Sequence, residues 1–149
     1  LNPQKRVLIQ EIFLIALGIC GRFLRWETIP FSPLTNIIGV FLIVLAFVLH
    51  GYSQKNLKQA HNRSNEIKNI VTSGIYSKVR HPIYLSLIIM EIGITFTFGI
   101  MWMFLLVILF TYLHILTSIE EEKLLVKKFN KEYINYMNNV PWRILPKIF

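Results

Sequence analysis

Leu34 to Tyr52 reads LTNIIGVFLIVLAFVLHGY, nineteen consecutive residues without a charged side chain. Coiled as an α-helix, that stretch covers roughly 28 Å of a hydrocarbon core about 30 Å thick. Pro33 stands just ahead of it, where a fixed φ and a missing N–H suit a first helical turn. A second uncharged run, Gly99 to Ile119, carries Trp102 near one end and Tyr112 and His114 near the other, as interfacial residues are often placed. Two further runs are shorter or interrupted: Pro82 to Phe98 contains Glu91, and Val7 to Leu24 contains Gln10, Glu11 and Arg22. The expectation is an all-α integral membrane protein with about four transmembrane helices, over about 7–24, 34–52, 82–98 and 99–119.

Composition points the same way. Of 149 residues, 54% are hydrophobic, more than a soluble domain with an ordinary charged surface carries. The formal charge of +8 comes from 16 Lys and Arg against 8 Glu, with no Asp. These cations lie between the apolar runs rather than on one soluble face, which argues against nucleic acid as a partner and for an anionic membrane surface. Lys55, Lys58, Arg63, Lys68, Lys78 and Arg80 fall in the connection from Ser53 to His81, and the C-terminal stretch adds Lys123, Lys127, Lys128, Lys131, Arg143 and Lys147. The opposite side offers Arg25 and an uncharged turn, so the positive-inside rule makes the first face cytosolic. Cys20 is the single cysteine, which leaves no disulfide or cysteine metal site within one chain. No His spacing resembles a zinc site, and no metal is expected. The chain begins at Leu1, so a processed signal or a preceding helix has room in front of it, and the helix number is a minimum.

Gly99, between Phe98 and Ile100, allows only a tight turn between the last two apolar runs, which are therefore expected to form an antiparallel hairpin. Its far ends, residues 74–82 and 119–123, then meet on the cytosolic face. Beyond the hairpin, Leu125, Phe129, Tyr133, Tyr136 and Val140 recur every three or four residues, one apolar stripe on a charged, amphipathic C-terminal cytosolic helix. Pro141 and Pro146 end regular helix and leave an extended tail. The polar stretch Ser53 to Asn69 is the one linker-like piece. There is no internal repeat, and residues 1–149 read as a single membrane-embedded domain.

Two clusters can carry chemistry. Residues 74–85 read GIYSKVRHPIYL, in which Gly74 permits a sharp loop and Pro82 starts a helix whose unpaired N–H groups, beside Arg80 and His81, suit a carboxylate. The alternative is a basic anchor, with Arg80 at lipid headgroups and Tyr84 at the interface. The second cluster is Glu120-Glu121-Glu122, three acids at a helix end where they oppose the helix dipole. Glu121 is seven residues after His114 and four before Leu125, so the three share a face of a continuous helix. An inward carboxylate there binds a cation or ribose hydroxyls; the alternative is an ion pair with Lys123, Lys127 or Arg80. Glu91 is a candidate by its place in a membrane segment, or else a partner of Arg22. His50 and His114, near helix ends, are expected at the interface.

The string from Val71 to Tyr76, then Val79-Arg80-His81-Pro82 and Tyr84, resembles the RHPxY signature of the isoprenylcysteine carboxyl methyltransferase family, which is related to the phospholipid methyltransferases. Glu121-Glu122, Leu125, Phe129, Tyr133, Tyr136 and Val140-Pro141 resemble the second motif of that family, and together the matches cover about half the chain. Ser86 and Asn130 stand where the family often has Gly; Asn tolerates left-handed backbone, and Ser86 narrows a close helix contact. The resemblance implies an S-adenosylmethionine-dependent methyltransferase with S-adenosylhomocysteine as product and the cofactor between elements 70–85 and 119–149. By position, Tyr76, Val79, Arg80, His81, Pro82, Tyr84, Leu85, Glu121 and Glu122 line the cofactor cavity. Methyl transfer from a sulfonium needs donor and acceptor held in line in a water-poor site. A carboxylate acceptor needs no base, only a cation such as Arg143, with Arg80 in reserve; an amine acceptor needs a base, for which Glu122 or His81 stands nearest. The implied partner is a lipophilic or lipidated substrate entering from the bilayer. Three other readings stay open: phospholipid N-methylation, a sterol-type membrane reductase using a reduced nicotinamide, and a non-enzymatic lipid-binding protein.

Overall fold

The computed structural model describes residues 3–57 and 69–148. Among them are five α-helices and no β-strand: α1 (Pro3–Phe23), α2 (Leu34–Asn56), α3 (Pro82–Phe98), α4 (Met103–Phe129) and α5 (Lys131–Asn139), with a 3₁₀ turn at Gly74–Ser77. Lys58, Arg63, Lys68 and most of the linker-like stretch lie outside the described residues. Helices α2 and α4 are long and apolar enough to cross a membrane, while α3 is apolar but shorter. Only 11% of the apolar window of α2 and 33% of that of α4 is buried within the protein, so these are not the core helices of a soluble fold. Ile37, Phe41 and Val48 on α2 and Leu105 and Ile108 on α4 all turn outward, as lipid-facing residues do.

The chain divides into two compact units, one of residues 1–47 and 87–113, the other of residues 48–86 and 114–149. In the first, Leu14, Ile94, Ile100, Met103 and Phe110 form the apolar core. Helix α2 runs antiparallel to α3 there and approaches its backbone closely: a Cβ at Gly39 would meet the Thr97 amide and the Gly93 carbonyl. Asn36 Nδ2 donates to the Thr97 carbonyl at 3.0 Å at the same crossing.

The turn between α3 and α4 is slightly longer than the sequence suggests. Gly99 has φ +67 and its N–H bonds back to Thr95, closing α3, but residues 100–102 make a further turn before α4 begins at Met103. Phe96 and Phe104 pack edge to face across this connection, with ring centroids 5.3 Å apart. Helix α4 then continues past Ile119 to Phe129, well beyond the uncharged run.

The expected single C-terminal helix is broken. Asn130, with φ 48, separates α4 from the nine residues of α5. The apolar stripe nevertheless holds together in the second unit, where Tyr133, Tyr136 and Val140 form a buried cluster with Leu125, Phe129 and Ile70. The tail after Asn139 has no regular helix, as Pro141 and Pro146 require.

Candidate active site

The site lies wholly in the second unit and is organised by one carboxylate. Glu122 follows the apolar part of α4 and is 3% exposed. Its Oε1 accepts from Arg80 Nε at 2.7 Å and from His81 Nε2 at 3.2 Å. Its Oε2 accepts from Arg143 Nε at 2.9 Å and Nη2 at 2.8 Å. Burial pushes the Glu122 carboxyl up, but the hydrogen bonds from His81, Arg143 and Arg80 outweigh it and hold the group well below the usual carboxylate range. A carboxylate so filled is a weak base.

Arg80 is committed just as fully, because its Nη1 also donates to the Val140 carbonyl at 2.7 Å and the Pro141 carbonyl at 2.8 Å. Two main-chain bonds run beside it, from Arg80 N–H to the Trp142 carbonyl at 3.0 Å and from His81 N–H to the Arg143 carbonyl at 2.8 Å. The amides of Arg80 and His81 themselves, which precede the first turn of α3, are thus taken by the C-terminal tail. The basic-anchor alternative fails for Arg80, which is 8% exposed and bonded inside the protein.

Around this clamp stands an aromatic and acidic wall. Tyr84 donates its hydroxyl to Glu121 Oε1 at 2.7 Å, and Glu121 Oε2 lies 3.6 Å from His81 Nδ1. The Tyr84 ring stacks on His114 with centroids 5.5 Å apart, and His81 tilts toward its other neighbour at 5.7 Å. The Glu121 side chain keeps 31% of its surface exposed, so of the two acids it is the one reachable from outside. His114, expected at the interface, is instead fully buried. Its spacing of seven from Glu121 was the available signal.

Gly74, with φ +63, opens the 3₁₀ turn that delivers Tyr76. The Tyr76 carbonyl accepts from Tyr136 OH at 2.7 Å, which ties the turn to α5. The Tyr76 hydroxyl is buried and has no hydrogen-bond partner among the described residues. Burial pushes the hydroxyls of Tyr76, Tyr133 and Tyr136 above their ordinary range, so all three stay neutral donors. Val79 and Pro82 are buried nearby in sequence, and Leu85 is half-buried one turn after His81. Ser86, the departure from the family pattern, is fully buried; it donates to the Ile83 carbonyl and sits 3.0 Å from His50 Nδ1. The role of His50 and the tail carbonyls had no signature in the sequence.

The phospholipid methyltransferase family profile matches residues 34–132, about two thirds of the chain, which takes in Arg80, His81, Tyr84, Glu121 and Glu122 but not Arg143. The chain belongs to the phospholipid methyltransferase family. Members of the phospholipid methyltransferase family generally draw their methyl group from S-adenosylmethionine and work in membranes, in keeping with the apolar helices found here. The Delta(14)-sterol reductase TM7SF2 of Mus musculus is 23% identical over 144 residues, covering 87% of this chain and 34% of that protein. The chain thus spans about a third of the length of that curated relative.

Proposed function

We propose that the chain is an S-adenosylmethionine-dependent methyltransferase acting on a lipophilic acceptor, with carboxyl O-methylation of an isoprenylated cysteine or similar isoprenoid thioether acid as the reaction it most resembles. It reads as one membrane-embedded domain with about four spanning helices, and the charged ends of α3 and α4, with the amphipathic C-terminal segment, face the cytosol by the positive-inside rule. The observation that carries the reading is the meeting of the two motifs on Glu122 in a chain of the phospholipid methyltransferase family.

The residues present fit the cofactor. The buried Tyr76 hydroxyl lacks a partner among the described residues and offers a donor, while Glu121 offers an accessible carboxylate for ribose hydroxyls or an ammonium. Tyr84, His81 and His114 give aromatic faces suited to a cation. Tyr76, Val79, His81, Pro82, Tyr84, Leu85 and Glu121 are thus the proposed binding set. When bound, the cofactor supplies an electrophilic methyl group on a sulfonium. Glu122 and Arg80 then serve as positioning residues that hold the two motifs together, rather than as base and reserve cation. Arg143 orients a carboxylate acceptor from the rim of the clamp, and the buried setting keeps water out. For an amine acceptor, His81 is a better base than Glu122, whose lone pairs are filled.

Calorimetric titration of the detergent-purified protein with S-adenosylhomocysteine tests this, with a reduced nicotinamide as control. Saturable binding of the first alone supports methyl transfer. The alignment with a sterol reductase over most of this chain favours one second reading, a reductase-like domain, and nicotinamide binding alone would select it. Binding of neither by folded protein leaves the lipid-binding reading.

A further inference from the structure

The packing of α1 against α3 in the first unit brings together polar groups that methyl transfer does not use. Gly18 meets the Phe98 ring, and Leu14, one turn earlier on α1, belongs to the same apolar cluster as Ile94, one turn earlier on α3. Gln10 and Glu11 stand one further turn back on α1, and Met90 and Glu91 one further turn back on α3. Glu91 is fully buried. Gln10 lies on the stripe of Leu14 and Gly18 that faces α3, and it is only 6% exposed. Its Oε1 and Nε2, and both carboxylate oxygens of Glu11, are shielded from solvent without a hydrogen-bond partner among the described residues. Thr95 gives no help, since its hydroxyl donates to the Glu91 carbonyl at 2.9 Å. Arg6, one turn before Gln10, is already engaged in an interaction.

Open polar atoms in an apolar wall cost several kcal/mol each unless something completes them. We propose that Gln10, Glu11 and Glu91 form an intramembrane binding site for an amphiphile whose head is a protonated primary amine. An ammonium carries three N–H donors for the open oxygens of Glu11 and Gln10, and its charge balances the Glu11 carboxylate. A hydroxyl head has a single donor, and a quaternary ammonium has charge but no N–H. The outward face of α1 is apolar and exposed at Leu8, Ile9, Ile12 and Phe13, so the ligand arrives through the bilayer and needs a hydrocarbon body. The site depends on the membrane reading of the chain and not on methyl transfer.

The test uses the full chain in nanodiscs of zwitterionic lipid, with tetradecylamine, tetradecanol and tetradecyltrimethylammonium as probes. Tetradecylamine alone raises the unfolding temperature saturably, and Gln10→Leu and Glu11→Gln each weaken that response by at least about tenfold. An equal response to all three probes, or an undiminished response in both variants, overturns the site. If the variants do not fold, infrared difference spectra of the unaltered protein decide: tetradecylamine must shift a buried carboxyl band, and an unchanged band refutes the proposal.

Discussion

Arg80 and Glu122 are joined at 2.7 Å across forty-two residues of chain, both less than a tenth exposed. The bond closes one motif on the other, and Arg143 joins the same carboxylate from the tail. Removing one member of such a set leaves the others buried and uncompensated, which is more harmful than the pair is worth in isolation.

Glu122→Ala is therefore expected to destabilise the protein by about 3–5 kcal/mol and to abolish cofactor binding as a consequence. Denaturant unfolding in detergent measures the first effect. A double-mutant cycle with Arg143→Ala should show strong coupling, because Arg143 loses its partner in either single variant.

The same carboxylate makes stability fall with acid. Its folded pKa is depressed below the ordinary 4.5, so its contribution is fully present above about pH 4.5 and is lost as pH falls toward the depressed value. Thermal unfolding of the unaltered protein should steepen in its pH dependence below about pH 4.5, and Glu122→Gln should flatten that slope.

Tyr76→Phe separates binding from folding. The hydroxyl is buried without a hydrogen-bond partner among the described residues, so its removal should leave stability unchanged or raise it by up to about 1 kcal/mol. If the hydroxyl meets the cofactor, S-adenosylhomocysteine affinity should drop about tenfold by calorimetry. An unchanged affinity removes Tyr76 from the binding set.

Glu121→Ala should weaken S-adenosylhomocysteine by about tenfold or more with little change in unfolding, since its side chain is part-exposed and its partner Tyr84 retains its stack on His114. Loss of stability without loss of affinity would make Glu121 structural.

Gly39→Leu should reduce folded yield sharply. Any side chain there meets the main chain of α3 at Thr97 and Gly93, which cannot give way as a side chain does. Size-exclusion chromatography of the expressed variant reads this out.

The apolar runs at Leu34–Tyr52 and Pro82–Phe98 announce their helices because a stretch without charge has few other homes, and residue types at fixed spacing announce Arg80, His81, Tyr84, Glu121 and Glu122. What escapes such reading is carried by main chain. The Trp142 and Arg143 carbonyls that cap Arg80 and His81 would look the same from almost any side chain. The break at Asn130 has one signal, an Asn where the resembled family often has Gly, but the apolar spacing hides it, because Phe129 and Tyr133 keep step across it and meet in one cluster. Gln10 reads as an interruption of α1 until its burial, on the stripe of Leu14 and Gly18, shows where it stands.

The capping of Arg80 by residues 140–143 also sets an order of events at the ribosome. When the first motif emerges, its arginine has neither the carboxylate nor the carbonyls it will occupy. The carboxylate follows forty-two residues later, and the Val140 and Pro141 carbonyls arrive with the tail after sixty or more. Until then Arg80 lacks its full set of acceptors, so the clamp on Glu122 closes only once residues 140–143 are in place.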